Sequence, residues 1–367
     1  MNPESMRQAF ELARQGLGRT SPNPAVGAVL VRDGQVVGSG FHTWAGVKHA
    51  EVLALEQAGE LARGATLYVN LEPCSHLGRT PPCADAIVAA GVGRVVAAMA
   101  DPNPRVSGQG FRRLREAGLE VELASQFTAE AEKLNQPFVH FMRTGRPLVT
   151  LKAAVTLDGK IAAPEDNQGW ITSERARLHV QQLRHQSDAI LTGIGTVLGD
   201  DCLLTDRTGL ERSRPLLRIV LDSQLRIPPG SRMVSSAKSD VLVVTTSAAS
   251  PDRRRILEAR GVKVLVCDGA AGRTDPRAVV EFLAREACLS LMIEAGSKVN
   301  WSALESGIVD RIFFYYAPKI LGGLQSLPVA GGPGRRTRRE AILFRNVTLQ
   351  PITEDEFAVE AYLVKET

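Results

Sequence analysis

Short runs of strand character alternate with stretches of helical spacing along this 367-residue chain, and that alternation limits the folds open to it. MRQAFELARQ repeats apolar residues at helical intervals, and AVGAVLVRDGQVVGSG gives two strands joined at Asp33-Gly34, a pair that favours a tight hairpin turn. HAEVLALEQAG then predicts a helix ending near Gly59, ATLYVN a strand and CADAIVAAG a helix. RVVAAMA, GFRRLREAG and LEVELA continue as strand, helix and strand. Strands separated by helices build a parallel or mixed sheet covered by helices, the α/β class. Gly145-Arg146-Pro147 breaks the series. Beyond it LVTLKAAVTLDG opens a second series, with strands expected at DAILTGIG, LLRIVLDS, DVLVVTTS, VKVLVCDG, LSLMIEAG and DRIFFYYAPKIL. Helices are expected at SERARLHVQQLRHQ, DRRRILEARG and PRAVVEFLAREA. The chain is longer than one typical domain, so two α/β domains are expected, residues 1–145 and 146–367, without an internal repeat.

Composition removes several classes of function. No stretch approaches the roughly 18–20 uninterrupted apolar residues that span a bilayer. MNPESMRQAFELARQG lacks the apolar centre of a signal peptide. Five cysteines without a regular framework point to a reduced cytoplasm and not to a disulfide scaffold. A net charge of +4 neither requires nor excludes an anionic partner, and with 5% aromatic residues it lends little support to a basic, aromatic-interleaved surface for nucleic acid. The basic run GRRTRR at 334–339 reads as a solvated loop.

Chemistry concentrates in the first domain. His49-Ala50-Glu51 stands at a predicted helix start, Pro73-Cys74 follows a strand, and Cys83 opens the next helix. A thiolate at a helix start is stabilised by the positive end of the helix dipole, which favours metal binding. One imidazole and two thiolates form the soft donor set that zinc prefers. Structural zinc sites close with four protein ligands, whereas catalytic ones keep a position for water. His76 could complete a closed Cys2His2 site, but that arrangement leaves Glu51 without a use. Two residues from His49 on a helix, Glu51 points in another direction. It can stay off the metal yet reach the water that completes the shell, taking a proton from it and returning the proton to a leaving amine. The order H-x-E…P-C…C is the signature of zinc-dependent nucleobase and nucleoside deaminases, here with a longer segment before the second cysteine than C-x-x-C has.

That longer segment narrows the resemblance. EPCSHLGRTPPC, with TSPNPAVGAVLV upstream, HAE between them and ADPNPRVSGQG beyond, is similar to the N-terminal half of the bifunctional deaminase/reductase of bacterial riboflavin biosynthesis. The resemblance implies a cytidine-deaminase-like three-layer αβα domain in which His49, Cys74 and Cys83 hold Zn2+ and Glu51 is the catalytic proton carrier. It also implies a substrate pocket lined by Asn23, His42, His76 and Asn103, with SHLGRTPP forming part of the pyrimidine-binding wall. By themselves, Asn23-Pro24 and Asn103-Pro104 are also ordinary turn formers.

The second half says less on its own. GIGTVLG holds Gly193, Gly195 and Gly199 without G-x-G-x-x-G spacing, and Asp200-Asp201 interrupts a following helix. IEAGSKVNWSAL runs from a strand through Gly296 into a helix whose first N–H groups can hold a phosphate, although an ordinary strand-to-helix turn looks the same. Arg184 and Arg207 can clamp a phosphate by bidentate bonding. LKAAVTLDGKIA, WITSERAR, LRHQSDAILTGIGTVLGDDCLLTDR, VLDSQLRIP, IEAGS and YYAPKILGG are similar to the family's reductase half, a dihydrofolate-reductase-like α/β domain that uses NADPH. The resemblance implies NADPH contacts at Ala154, Trp170, Thr196, Asp200 and Ser223, and at Gly296, Ser297, Lys298, Val299, Asn300, Trp301 and Ser302. It implies substrate contacts at Arg184, Leu204, Arg207 and Glu294, with the arginines near the ribose phosphate. Lys152 and Asp200 are the nearby groups suited to a proton or charge-stabilising role. Gln168 stands where the family often has a substrate-contacting serine. Cys202 stands where it often has proline, and reads as a small buried filler.

As a whole the resemblance implies a cytoplasmic two-step enzyme, expected as a homo-oligomer, a dimer, acting on a small pyrimidine ribosylamine phosphate. The first step is zinc-dependent hydrolytic deamination of 2,5-diamino-6-(5-phosphoribosylamino)pyrimidin-4(3H)-one. The second is NADPH-dependent reduction of the ribosyl group to ribityl. Neither nucleic acid nor membrane enters this scheme. A nucleic-acid-editing deaminase with an attached binding module, and a zinc-stabilised scaffold without catalysis, are the other readings open to the same constellation.

Overall fold

The computed structural model describes residues 2–44, 48–76, 81–104, 106–165 and 169–364. Gln168, and residues 77–80 of the segment between the two cysteines, lie outside the described residues. The chain divides into two compact units, one formed by Met1–Gly145 with Glu211–Arg214 and the other by Arg146–Leu210 with Pro215–Thr367.

In the first unit, α1 (Pro3–Gln15) precedes the hairpin of β1 (Gly27–Arg32) and β2 (Gln35–Phe41). There follow α2 (Ala50–Ala58), β3 (Thr66–Val69), α3 (Cys83–Ala89), β4 (Arg94–Ala97), α4 (Gln109–Glu116), β5 (Glu120–Leu123), α5 (Thr128–Leu134) and α6 (Gln136–Thr144). The sheet order is β2-β1-β3-β4-β5, with β1 antiparallel to both its neighbours and β3, β4 and β5 mutually parallel. Asp33 and Gly34 adopt φ of 51° and 77°, the left-handed pair that a two-residue hairpin turn requires.

Small residues bring α2 down onto β2. A Cβ at Gly38 would lie 2.2 Å from the Ala54 carbonyl oxygen, and one at Gly40 would lie 2.6 Å from Leu53 Cβ. The helix therefore rests on the strand backbone itself, which sets the height of its first turn, where His49 and Glu51 stand. Two buried amides fix the segment leading into β1. Asn70, just past β3, accepts from Gly27 N and donates to the Ala25 carbonyl, both at 2.9 Å. Asn135, between α5 and α6, accepts from Ala25 N at 2.8 Å and donates to the same carbonyl at 2.9 Å.

The second unit begins with β6 (Leu148–Thr156), β7 (Lys160–Ala162), α7 (Glu174–His185), β8 (Ala189–Gly193), α8 (Ile194–Asp200) and β9 (Leu217–Leu221). It continues through α9 (Arg232–Ser235), β10 (Val241–Thr245), α10 (Pro251–Glu258), β11 (Lys263–Val266), α11 (Pro276–Arg285), β12 (Ser290–Ile293) and α12 (Ser297–Glu305). It closes with β13 (Arg311–Ala317), β14 (Leu327–Pro328), β15 (Phe344–Pro351) and β16 (Phe357–Leu363). Nine strands form one sheet in the order β11-β10-β9-β8-β12-β6-β13-β16-β15, and β14 pairs with β7 apart from it. From β11 to β13 the strands run parallel, while β16 is antiparallel to both β13 and β15. Alternate residues of the same strands feed two apolar clusters, Leu191, Leu242 and Ile293 in one, Ile190, Val243 and Met292 in the other. The sheet is thus covered on both faces, and strands buried on both faces read as continuous apolar runs.

Two features depart from the sequence-based expectation. The strand expected through DAILTGIG stops at Gly193, where α8 begins; that helix ends at Asp200, and Asp201 adopts φ of 39° as its left-handed cap. The C-terminal hairpin of β15 and β16 was absent from the expected strands. β15 is exposed along most of its length and bulges between Arg345 and Thr348, so it lacks a period-two apolar signal.

The close seat of α2 yields a test. Gly38→Val should destabilise the first unit by roughly 2 kcal/mol or more through overpacking and lower its bound metal. Urea unfolding and metal analysis check this, and an unchanged midpoint with full metal content would contradict it.

Candidate active sites

In the first unit two helix starts converge. His49 is the N-cap of α2 and Cys83 is the first residue of α3. His49 Nδ1 lies 3.1 Å from Cys83 Sγ and 3.6 Å from Cys74 Sγ, and the Cys83 N–H donates to Cys74 Sγ at 3.3 Å. The three ligand atoms lie within 4.8 Å of one another. Tetrahedral zinc with ordinary Zn–S and Zn–N bonds needs nitrogen–sulfur separations of roughly 3.6 Å. Donor chemistry and spacing therefore fit zinc. Among the described residues neither His76 nor Glu51 joins this group, so a closed Cys2His2 set does not form.

Glu51 is only 4% exposed beside the cluster. Burial, reinforced by the Cys74 sulfur and opposed by His49, pushes its carboxyl up to about 7. The Cys83 hydrogen bond and His49 outweigh burial to draw the Cys74 thiol down, while Cys83, donating to that sulfur and buried, is pushed up. His42 Nδ1–H donates to the Lys48 carbonyl at 2.9 Å, which leaves Nε2 to accept from the Asn23 amide at 3.0 Å. Burial lowers the His42 pKa, in keeping with this neutral ring, and the ring stands edge-on to His49 with centroids 5.2 Å apart.

A cavity of about 470 Å³ opens over these groups. Asn23, His42, His49, Glu51, Cys74, His76 and Asn103 all line it. So do residues the sequence did not single out as site residues: Trp44, Glu72 and Asp101, with Phe138 and Met142 from α6. Phe138 and Met142 are four apart on one face of a helix, a spacing that reads as ordinary core until the fold shows what it faces.

In the second unit Thr196, Ser223, Glu294 and Gly296 follow the carboxyl ends of parallel strands β8, β9 and β12, where open α/β sheets take ligands. Glu294 follows β12 directly. Arg184 Nη2 reaches both its oxygens at 2.9 Å, Arg184 Nε reaches Oε2 at 3.1 Å, and Lys152 Nζ reaches Oε1 at 3.2 Å. Burial works to raise the Glu294 pKa, but the charges of Lys152 and Arg184 outweigh it and hold the carboxyl down at about 2. Arg184 Nη1 also donates to the Thr205 carbonyl at 3.0 Å. Arg184, 7% exposed, thus bonds both Glu294 and the loop holding Leu204. Leu204 is buried with φ of 50°, whereas Arg207 is exposed on the same loop.

The start of α12 has no side-chain cap, so the N–H groups of its first turn are open to an anion. Thr196, on α8, stands beside it, with Oγ1 3.9 Å from where a Gly296 Cβ would be. This uncapped turn fits a dinucleotide phosphate. The side chains of that turn face elsewhere: Ser297 Oγ donates to the Pro328 carbonyl at 2.5 Å and Asn300 Nδ2 to the Val329 carbonyl at 2.7 Å. The Trp301 ring lies against Gly332, with the Arg335 guanidinium 5.7 Å from its centroid. Lys298 is exposed, and Val299 packs over Gly193. Ser302 follows on the same helix, and Ala154 is half-buried on β6. Asp200 is exposed at the end of α8. Ser223 lies past β9, two strands from β12, with Oγ accepting from Thr274 N at 3.2 Å. Trp170 is 67% exposed, its ring 4.9 Å from the Arg177 guanidinium and its carbonyl bonded by Lys319 at 2.9 Å. Cys202, expected to be buried, is half-buried against the apolar cluster.

A buried carboxyl beside a His/Cys/Cys zinc set, followed by a second α/β unit with ligand groups at its strand ends, defines the class: a zinc-dependent deaminase fused to a reductase. Residues 2–99 match the cytidine and deoxycytidylate deaminase zinc-binding region, and residues 147–356 match the RibD C-terminal domain. The riboflavin biosynthesis protein RibD of Actinobacillus pleuropneumoniae is 44% identical over 95% of this chain and 92% of its own length. That of Escherichia coli is 44% identical over 88% and 90%. The structure of Acinetobacter baumannii RibD superposes with a TM-score of 0.87 at 38% identity, covering 99% of this chain and 98% of that one. The chain belongs to the RibD family, the bifunctional deaminase/reductases of riboflavin biosynthesis.

The depressed Glu294 carboxyl sets a pH window. A group held below its ordinary value near 4.5 adds stability that is complete above that pH and is lost as pH falls toward about 2. Glu294→Gln should therefore flatten the acid decline in stability of the second unit between about pH 4.5 and 2, followed by urea midpoints against pH. An unchanged slope would contradict this pairing.

Proposed function

We propose that the chain deaminates 2,5-diamino-6-(5-phosphoribosylamino)pyrimidin-4(3H)-one and then reduces the ribosyl group of the product to ribityl with NADPH. The observation that carries this reading is the placement of Glu51, buried beside the His49, Cys74 and Cys83 donors and facing a cavity of about 470 Å³. His49, Cys74 and Cys83 would hold zinc, which supplies the Lewis acidity that makes water a nucleophile near neutral pH. Glu51 takes a proton from the attacking water and hands it to the departing amine. The ring carbon bearing the 2-amino group gains oxygen, and ammonia leaves. Asn23, fixed by His42, keeps its amide oxygen for donors on the ring, while His76 and Asn103 bound the same cavity.

In the reductase unit NADPH, when bound, would supply the hydride for the ribose C1. The first turn of α12 would hold its phosphates. Ala154, Trp170, Thr196, Asp200 and Ser223 would meet the remainder of the dinucleotide. Lys152, an ammonium 3.2 Å from ionised Glu294, can stabilise negative charge or provide the proton that balances hydride addition. Arg184, Leu204, Arg207 and Glu294 would meet the substrate, the arginines near its ribose phosphate. Residues 1–145 would form the deaminase domain and 146–367 the reductase domain. We place the enzyme in the cytoplasm as a homodimer, which sedimentation would measure. No helix among the described residues is long and apolar enough to cross a membrane.

Glu51→Gln should keep zinc, lose deamination by at least about a hundredfold, and leave reduction of the deaminated substrate intact. Zinc analysis and separate assays of the two steps check this. Normal deamination by that variant would overturn the role given to Glu51.

A further inference from the structure

The connection between β4 and α4 carries Asp101 and Asn103, both on the wall of the deaminase cavity. One side chain holds its backbone from beneath. Glu72, 4% exposed, accepts from Asp101 N and Gly108 N at 2.9 Å through Oε2, and from Phe111 N at 3.2 Å through Oε1. Gly108 is the N-cap of α4 and has φ of 76°. A glycine cap has no side chain to accept from the third residue of its helix, so that N–H needs an acceptor from elsewhere. Glu72 provides it, at the end of the helix where a negative charge is favoured.

The same carboxylate reaches both ends of the connection. Asp101 N is bound directly. The Asp101 side chain then accepts from Asn103 N at 2.8 Å, and the Asn103 carbonyl accepts from Val106 N and Ser107 N. Asn103 is therefore two hydrogen bonds from Glu72. On its other side Glu72 adjoins Pro73-Cys74, and Gly110 approaches the Pro73 carbonyl so closely that a Cβ would lie 2.0 Å from it. The Cys74 turn and the Asn103 turn thus share one anchor.

We propose that Glu72 is a positioning residue of the deaminase, fixing the Asn103 turn against the pyrimidine substrate relative to the metal turn. This rests on the reading of Asn103 as a substrate contact. Glutamine at position 72 keeps the shape of the side chain but turns an amide NH2 toward a backbone N–H, which loosens the turn while leaving Cys74 in place.

The test is a double-mutant cycle on the full-length enzyme with Glu72→Gln, Asn103→Ala and both together. Glu72→Gln should raise the deaminase KM about tenfold or more, as expected of a misplaced contact. Its kcat, zinc content and reductase activity should stay near those of the unaltered enzyme. Asn103→Ala should raise KM to a similar extent, and the double variant should be no worse than Asn103→Ala alone, because the two residues act as one unit. Fully additive effects would overturn the positioning role while leaving the Asn103 contact standing. Unchanged kinetics of Asn103→Ala would remove that contact, and the proposal with it. If Glu72→Gln melts early or loses zinc, Glu72→Asp, which keeps the charge and shortens the reach to α4, replaces it in the cycle. Loss of zinc in both variants would show that Glu72 serves the metal turn and would overturn the proposal.

Discussion

The first unit depends on the meeting of two helix starts at one end of its sheet. His49 caps α2 and Cys83 begins α3, so both bring their donors to the positive ends of helices, with the Cys74 sulfur between them. Two sulfurs and the Glu51 carboxyl are crowded there out of water. Burial, with the Cys74 sulfur, pushes the Glu51 carboxyl up, and the hydrogen bond from Cys83 to Cys74 draws Cys74 down while it, with burial, pushes Cys83 up. A divalent cation resolves the conflict, since its charge inverts the local preference for protonation. The approach of α2 to Gly38 and Gly40 matters for the same reason: it fixes where the imidazole and the carboxyl stand relative to the two sulfurs.

The second unit is organised around a half-buried charge, Glu294. Glu294 joins β12 to α7 through Arg184 and to β6 through Lys152. Such a triad is a poor source of net stability, because desolvation offsets much of the attraction. Its effect is to fix geometry at the strand ends, where a carboxylate, an ammonium and the uncapped start of α12 converge on the ligand side of the sheet.

The sequence made the metal chemistry readable because that chemistry tolerates few residue types. A histidine and a cysteine at helix starts, a second cysteine after a strand and a glutamate two residues from the histidine point to zinc chemistry, and the structure brings His49, Cys74 and Cys83 within 4.8 Å of one another. The alternation of strands and helices was readable for a similar reason, since strands buried on both faces carry unbroken apolar runs. Other features depended on contacts distant in the chain. The bond of Arg184 to Glu294, far along the sequence, has no signal in the sequence around either residue. Glu72 has no pattern of its own; its partners are backbone N–H groups of a later connection. Phe138 and Met142 carry a helical apolar spacing that cannot distinguish a cavity wall from core. The β15–β16 hairpin carries a weak strand signal because β15 is exposed and bulged.

One measurement addresses the union of the two chemistries in a single chain most directly: mass analysis of products formed from the diaminopyrimidinone ribosylamine phosphate, with and without NADPH. Without NADPH, the deaminated ribosyl compound should accumulate together with released ammonia. With NADPH, it should give way to the ribityl compound, two hydrogens heavier. A reduced product that still carries the 2-amino group, or no deamination at all in the zinc-replete protein, would contradict the account.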